Sequence, residues 1–274
     1  MRHNYPMWKT LCITLAAFGL FSAPLAAQSI GDVVRADILP GWQEADGSRI
    51  AAIRLRLDPG WKTYWRAPGD AGIPPRFDWG GSGNLSDISV LWPTPEVLSQ
   101  NGMQSIGYRE EVVLPLRITP RRSGKQVHLR AALEIGVCRD ICVPRRIRVS
   151  ARLPAAQQPR DPRIASAIAS RPLTEDEAGL KRADCRIAAT GEGLSVTARL
   201  HLPDAGAPEV VVIEPGNPLL WVSEAATRRE GGTLVATSRV VHAEGASFMV
   251  DRSALRITVL GRDHAVDIRG CAAG

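Results

Sequence analysis

Apolar and polar residues alternate strictly in several stretches of this 274-residue chain, and a period of two leaves few folds open. The alternation is cleanest at Ile147, Val149, Ala151 and Leu153, where Arg146, Arg148, Ser150 and Arg152 take the other side. It also runs through Ile53-Leu55-Leu57, Val112-Leu114-Leu116-Ile118 and Val127-Leu129-Ala131-Leu133, taking alternate residues. Successive side chains of a strand point to opposite faces, so each stretch predicts a strand with one face in a core and one in water. Asp58-Pro59-Gly60, Gly80-Gly81-Ser82-Gly83 and Ser123-Gly124 supply the turns between them. Many short strands with polar turns predict an antiparallel β-sandwich.

The pattern breaks at residues 154–180. Pro154-Ala155-Ala156-Gln157-Gln158-Pro159 reads as a linker, and Asp161-Pro162 then offers an N-cap and a first-turn proline for a short helix carrying Ile164 and Ile168. Strand periodicity resumes at Leu194-Val196-Ala198-Leu200-Leu202 and continues through Val210–Ile213, Leu234-Ala236 and Leu255-Ile257-Val259. The organisation expected is all-β: two antiparallel sandwich domains, at 28–153 and 181–274, joined by a linker with a short helix at 154–180. No Lys/Arg run exceeds two residues, so the net charge of +6 leaves no nucleic-acid footprint.

Residues 1–27 read as a signal peptide. Arg2 and Lys9 precede an apolar stretch from Leu11 to Phe21, and the small residues around Ala23, Ala26 and Ala27 suit cleavage before Gln28. That stretch is too short to span a membrane core of about 30 Å, and no later segment approaches the length needed. The mature chain is therefore expected to be exported, without a membrane span.

Export changes how the cysteines read. Apart from Cys12, four remain: Cys138, Cys142, Cys185 and Cys271. In an oxidising compartment an even number points to disulfides, with three pairings open. Proximity in sequence favours Cys138–Cys142 with Cys185–Cys271. The segment Cys138-Arg139-Asp140-Ile141-Cys142-Val143-Pro144 lies between two predicted strands, and Pro144 argues against a helix there. A hairpin-like loop of this length brings its ends within disulfide range, roughly 5.5 Å between Cα atoms. Closing so short a ring gains about 2 kcal/mol on the loop-entropy model, against about 4.6 kcal/mol for the long ring from Cys185 to Cys271. The short bridge is a poor staple and a candidate switch, the long one a structural bond. Arg139, Arg145 and Arg146 would favour a thiolate, with Asp140 opposing them. Two thiolates alone do not make a metal site, and no cofactor is called for.

The order Gly60-Trp61-Lys62-Thr63-Tyr64-Trp65, then Gly107-Tyr108-Arg109-Glu110 with Val113-Leu114-Pro115-Leu116, then Cys138…Cys142-Val143-Pro144, resembles the amino-terminal periplasmic domain of the thiol:disulfide interchange protein DsbD. Asp70-Ala71-Gly72-Ile73-Pro74-Pro75 is most similar to the branch associated with suppression of copper sensitivity. The resemblance covers roughly residues 30–153. It implies an immunoglobulin-like fold for the sandwiches, a second such domain after the first, and a cysteine pair, Cys138 and Cys142, that carries electrons. Tyr64 would line the disulfide, with Tyr108 and Arg145 as further lining candidates. The family covers its disulfide with an aromatic cap; the matching stretch Ser99–Gln104 has no aromatic, so Met103 is the candidate cover. The implied partners are a membrane-embedded thiol–disulfide reductase and periplasmic thioredoxin-like proteins, and the implied activity is that of a protein-disulfide reductase. The contrasting expectation is a non-catalytic binding or copper-handling module whose disulfides are structural.

Overall fold

The computed structural model describes Met1 and residues 33–274 apart from Ala71 and Asn101, so the expected signal segment, with Cys12, lies outside the described residues. In the first half the alternating stretches become strands β1 (Val34–Gln43), β2 (Arg49–Leu57), β3 (Lys62–Tyr64), β4 (Arg76–Asp78), β5 (Leu85–Val90), β6 (Glu96–Gln100), β7 (Met103–Arg109), β8 (Glu111–Pro120), β9 (Val127–Cys138) and β10 (Cys142–Leu153). They form two antiparallel sheets, β1-β2-β8-β5 and β10-β9-β3-β7-β6, with β4 also paired to β9. Ile53, Leu55, Leu116 and Ile118 from one sheet are buried against Leu129, Leu133, Ile135 and Val137 from the other. The odd-numbered residues of β9 all face this core, so its even-numbered residues face outward.

The helix forms where Asp161-Pro162 predicts it. α1 (Pro162–Ala169) is capped by the Asp161 carboxylate, which accepts from the Arg163 backbone N–H at 2.9 Å. Its segment is no free tether. Ile164 is fully buried with Leu39, Trp42, Ile50 and Ala52 on the outer face of the first sheet. Gly41 permits that approach: a Cβ there would stand 2.4 Å from the Ile50 carbonyl oxygen and 3.3 Å from Ile164 Cδ1.

The second half contains β11 (Arg182–Thr190), β12 (Gly193–His201), β13 (Val210–Glu214), β14 (Leu220–Val222), β15 (Ala226–Glu230), β16 (Thr233–His242), β17 (Arg256–Leu260), β18 (Ala265–Arg269) and β19 (Ala272–Ala273). One sheet runs β14-β16-β12-β11-β19 with β15 on β16, and the other is β13-β17-β18. The pairings between these strands are antiparallel except β11 with β19, and Leu173 adds a parallel bridge to Val266 of β18. The fold is all-β and immunoglobulin-like, as expected.

The three-stranded sheet departs from the one-face-in-water pattern. Val211, Ile213, Ile257, Val259, Val266 and Ile268 fill the second core, while Val210, Val212, Leu260 and Ala265 on its other face pack against the first. The continuous apolar run Val210–Ile213 is what a strand buried on both faces requires. The described residues from 33 onward accordingly form one compact unit. Among the described residues no helix is long and apolar enough to cross a membrane.

Candidate functional site: the disulfide at the β9–β10 hairpin

β9 and β10 pair in unbroken register from Val127↔Leu153 to Cys138↔Cys142. The three-residue turn Arg139-Asp140-Ile141 closes with the Arg139 N–H donating to the Ile141 carbonyl at 3.1 Å. Cys138 and Cys142 are bonded, their Cα atoms 4.1 Å apart. Because β9 turns its odd residues to the core, Cys138, Gly136 and Glu134 share the outer face with Cys142, Pro144 and Arg146.

The two sulfurs differ in environment. Cys138 is 1% exposed, whereas Cys142 stands on an exposed edge strand beside Ile141, itself 57% exposed. Cys138 is covered from β3, where Lys62 pairs with it and Tyr64, two residues on, points to the same face. The Tyr64 hydroxyl donates to Cys138 Sγ at 2.8 Å and lies 3.3 Å from Cys142 Sγ. Burial raises the phenol pKa, so the hydroxyl stays protonated at neutral pH and remains a donor to whichever sulfur carries charge.

Two glycines make the slot that holds this ring. A Cβ at Gly136 would stand 3.1 Å from Tyr64 Cδ2 and 2.7 Å from Ile73 Cβ, and one at Gly72 would stand 2.9 Å from Tyr64 Cδ1. Further along the same ladder, Ile73, Pro74, Arg76, Glu134, Pro144 and Arg146, with Ile135 and Arg145, border a cavity of about 400 Å³. Arg146 is 3.5 Å from Glu134, and Arg139 pairs with Asp140 at 3.1 Å while lying over the Trp61 ring.

The other three lining candidates take different positions. Tyr108 pairs with Thr63, not Tyr64, and so faces the core. Its hydroxyl donates to the Pro93 carbonyl at 2.9 Å, and burial pushes its pKa well above the ordinary value. Arg145 pairs with Ile135 and borders the cavity beside the bridge, while Arg146 is the arginine in step with Cys142 along β10. Met103 is 58% exposed at the start of β7, four residues along from Gly107, the partner of Tyr64. Ile73, from a loop far earlier in the chain, stands against Gly136 on the side where the Tyr64 ring also lies. Sequence reasoning missed Ile73 and Gly136. A glycine two residues before Cys138 within a strand was the available signal, since such glycines mark close approach.

The second bridge joins Cys185, fully buried in β11, to Cys271, with Cα atoms 5.7 Å apart. It closes the pairing of β11 with β19.

Residues 35–154 match the family described as thiol:disulfide interchange protein DsbD, N-terminal. This part of the chain resembles the DsbD amino-terminal family. The N-terminal periplasmic domain of ScsB from Proteus mirabilis superposes with a TM-score of 0.64 at 22% identity, covering 88% of this chain and 92% of that one. The immunoglobulin-like fold shared with it therefore extends beyond the DsbD-type segment through the second half. The C-terminal domain of the AgI/II polypeptide BspA of Streptococcus agalactiae aligns at 4% identity with a TM-score of 0.18, too low to indicate a common fold. No curated protein matches the chain.

If Ile73 is the apolar cover, Ile73→Ala is expected to speed reduction of the Cys138–Cys142 bond by a small dithiol severalfold, with Met103→Ala leaving the rate unchanged. Stopped-flow measurement of thiol release on the two folded variants checks this, and the reverse order would return the cover to Met103.

Proposed function

We propose that the protein is a periplasmic thiol–disulfide exchange protein. It passes electrons between a membrane-embedded thiol–disulfide reductase and oxidised periplasmic proteins of the thioredoxin-like class. Cys142 would be the sulfur that meets partners and Cys138 the one that resolves them. The observation that carries this reading is the asymmetry of the pair: one sulfur exposed at a hairpin tip, the other buried beneath Tyr64.

The chemistry follows from that asymmetry. In the reduced protein the Cys142 thiolate attacks one sulfur of a partner disulfide, forming a mixed disulfide and releasing the partner's other sulfur as a thiolate. Cys138 then attacks Cys142 Sγ, the Cys138–Cys142 bond re-forms, and the partner departs with both thiols. Two electrons have moved to the partner, and a membrane reductase would return them by the same steps in reverse. Tyr64 supports whichever of the two thiolates is present, since a hydrogen bond to a charged acceptor is stronger than one to a neutral sulfur. The apolar atoms of Ile141, Ile73 and Pro144 give a partner a dry surface around the reacting sulfur. The periplasmic assignment draws on the family and on the signal-like residues 1–27.

The reduction potential of the pair tests the proposal. A value more oxidising than about −300 mV is expected, and one far below that range would make the bond a staple.

A further inference from the structure

Arg66 leaves the segment after β3 two residues from Tyr64 and crosses to the second half. Its Nε and Nη2 donate to Glu214 Oε1 and Oε2, each at 3.0 Å. Nη2 also donates to Thr258 Oγ1 at 3.0 Å and lies 3.6 Å from Asp267 Oδ1. The guanidinium stacks over the Trp65 ring, 3.7 Å from its centroid. Glu214, Thr258 and Asp267 come from β13, β17 and β18 in turn, on the face of that sheet turned toward the first half. The Arg66 side chain is 11% exposed, so this contact is largely removed from solvent.

Burial lowers the Arg66 pKa, opposed chiefly by Glu214, and the guanidinium remains charged. Arg256 also faces the cluster, donating to both oxygens of Asp267 at 2.6 and 2.9 Å, with Arg269 3.4 Å from the same carboxylate. Asp267 is therefore already engaged by two cations, and Glu214 is the carboxylate that grips Arg66 with both oxygens.

The gripped segment covers the sulfurs. The Trp65 N–H donates to the Ile106 carbonyl, and the Ile106 N–H donates back to the Pro68 carbonyl. Gly72 and Ile73 then return over the Tyr64 ring. The segment from Tyr64 to Pro68 is thus held by β7 on one side and, through Arg66, by the second half on the other.

We propose that the second half is a positioning element for the disulfide. Glu214 and Thr258 hold Arg66, and Arg66 sets the Tyr64 hydroxyl against Cys138 Sγ. Arg66, Glu214 and Thr258 are positioning residues, acting through Tyr64. The proposal concerns the chemical behaviour of the sulfur pair and stands whichever proteins exchange with it.

The test uses the full chain and the equilibrium constant for reduction of Cys138–Cys142 in a dithiothreitol redox buffer. Tyr64→Phe is expected to lower that constant by roughly tenfold, because the hydrogen bond already made to the bonded Cys138 sulfur strengthens when that sulfur becomes a thiolate. Glu214→Ala is expected to move it in the same direction, Arg66→Met likewise, and Arg66→Lys to recover part of the loss. In a Tyr64→Phe background, Glu214→Ala should add nothing, because its effect runs through the missing hydroxyl. Should Glu214→Ala fail to fold, Thr258→Val and Glu214→Gln provide the same comparison. An unchanged constant in folded Glu214→Ala or Thr258→Val overturns the proposal, as does an effect that adds in full to Tyr64→Phe.

Discussion

Cys138→Ala is expected to leave Cys142 covalently joined to partner proteins in the periplasm, and Cys142→Ala is expected to leave few such adducts or none. The difference follows from access. A mixed disulfide forms by in-line attack of one sulfur on another, which requires an approach path to the reacting thiolate. Cys142 sits on an edge strand with its side chain on the exposed face, while Cys138 is 1% exposed beneath Tyr64. Removing Cys138 takes away the resolving sulfur and leaves the attacking one in place, so adducts persist. Removing Cys142 leaves a thiol that a folded partner cannot reach. Non-reducing gels of periplasmic extracts from the two variants decide the matter. Trapping through Cys138, or equally through both, reverses the assignment, and trapping through neither returns the pair to a structural role.

Removing the two bridges should have opposite weight for stability. Cys185 and Cys271 are 86 residues apart, so their bond restricts the unfolded chain by about 4.6 kcal/mol on the loop-entropy model. Cys185→Ala with Cys271→Ala is expected to lower the melting temperature by about 10 °C, given roughly 2–4 °C per kcal/mol for a chain of this size. Cys138 and Cys142 are four residues apart, and their ring is worth about 2 kcal/mol at most. The β9–β10 ladder holds the two residues opposite each other whether or not the sulfurs are bonded. Cys138→Ala with Cys142→Ala should therefore cost the fold much less. Thermal unfolding of both double variants against the parent checks the order, and a larger loss at the short bridge would mark it as the staple.

Much of this architecture is written in local pattern. The period of two in Val127–Leu133 and Ile147–Leu153 places β9 and β10, and Asp161-Pro162 marks the start of α1. Parity alone also separates Arg145 from Arg146: counting from Cys142 in steps of two reaches Pro144 and Arg146, so the sulfur face was readable without coordinates. What stayed hidden depends on register between distant strands. Tyr64 and Tyr108 both lie in matching motifs, yet the pairing Thr63↔Tyr108 sends them to opposite faces of one sheet. Ile73, which stands against Gly136, lies more than sixty residues before Cys138, where no local signal connects the two. Arg66 is a single arginine in a loop, and only the folded chain brings it against Glu214.

The sheet β13-β17-β18 has apolar residues on both faces, and that arrangement removes a joint. Two sandwiches strung on a bare linker could bend about it and swing the sulfur pair through an arc. Here bending would peel Val210, Val212 and Leu260 from one core while pulling Arg66 away from Glu214, exposing apolar area and separating a charged pair in the same motion. Helix α1 adds a second attachment on the far side of the first sheet. The exposed sulfur is accordingly carried on a rigid body. If the pair exchanges electrons as proposed, donor and acceptor must each reach the sulfur on that body, because no bend between the two sandwiches brings the sulfur to them.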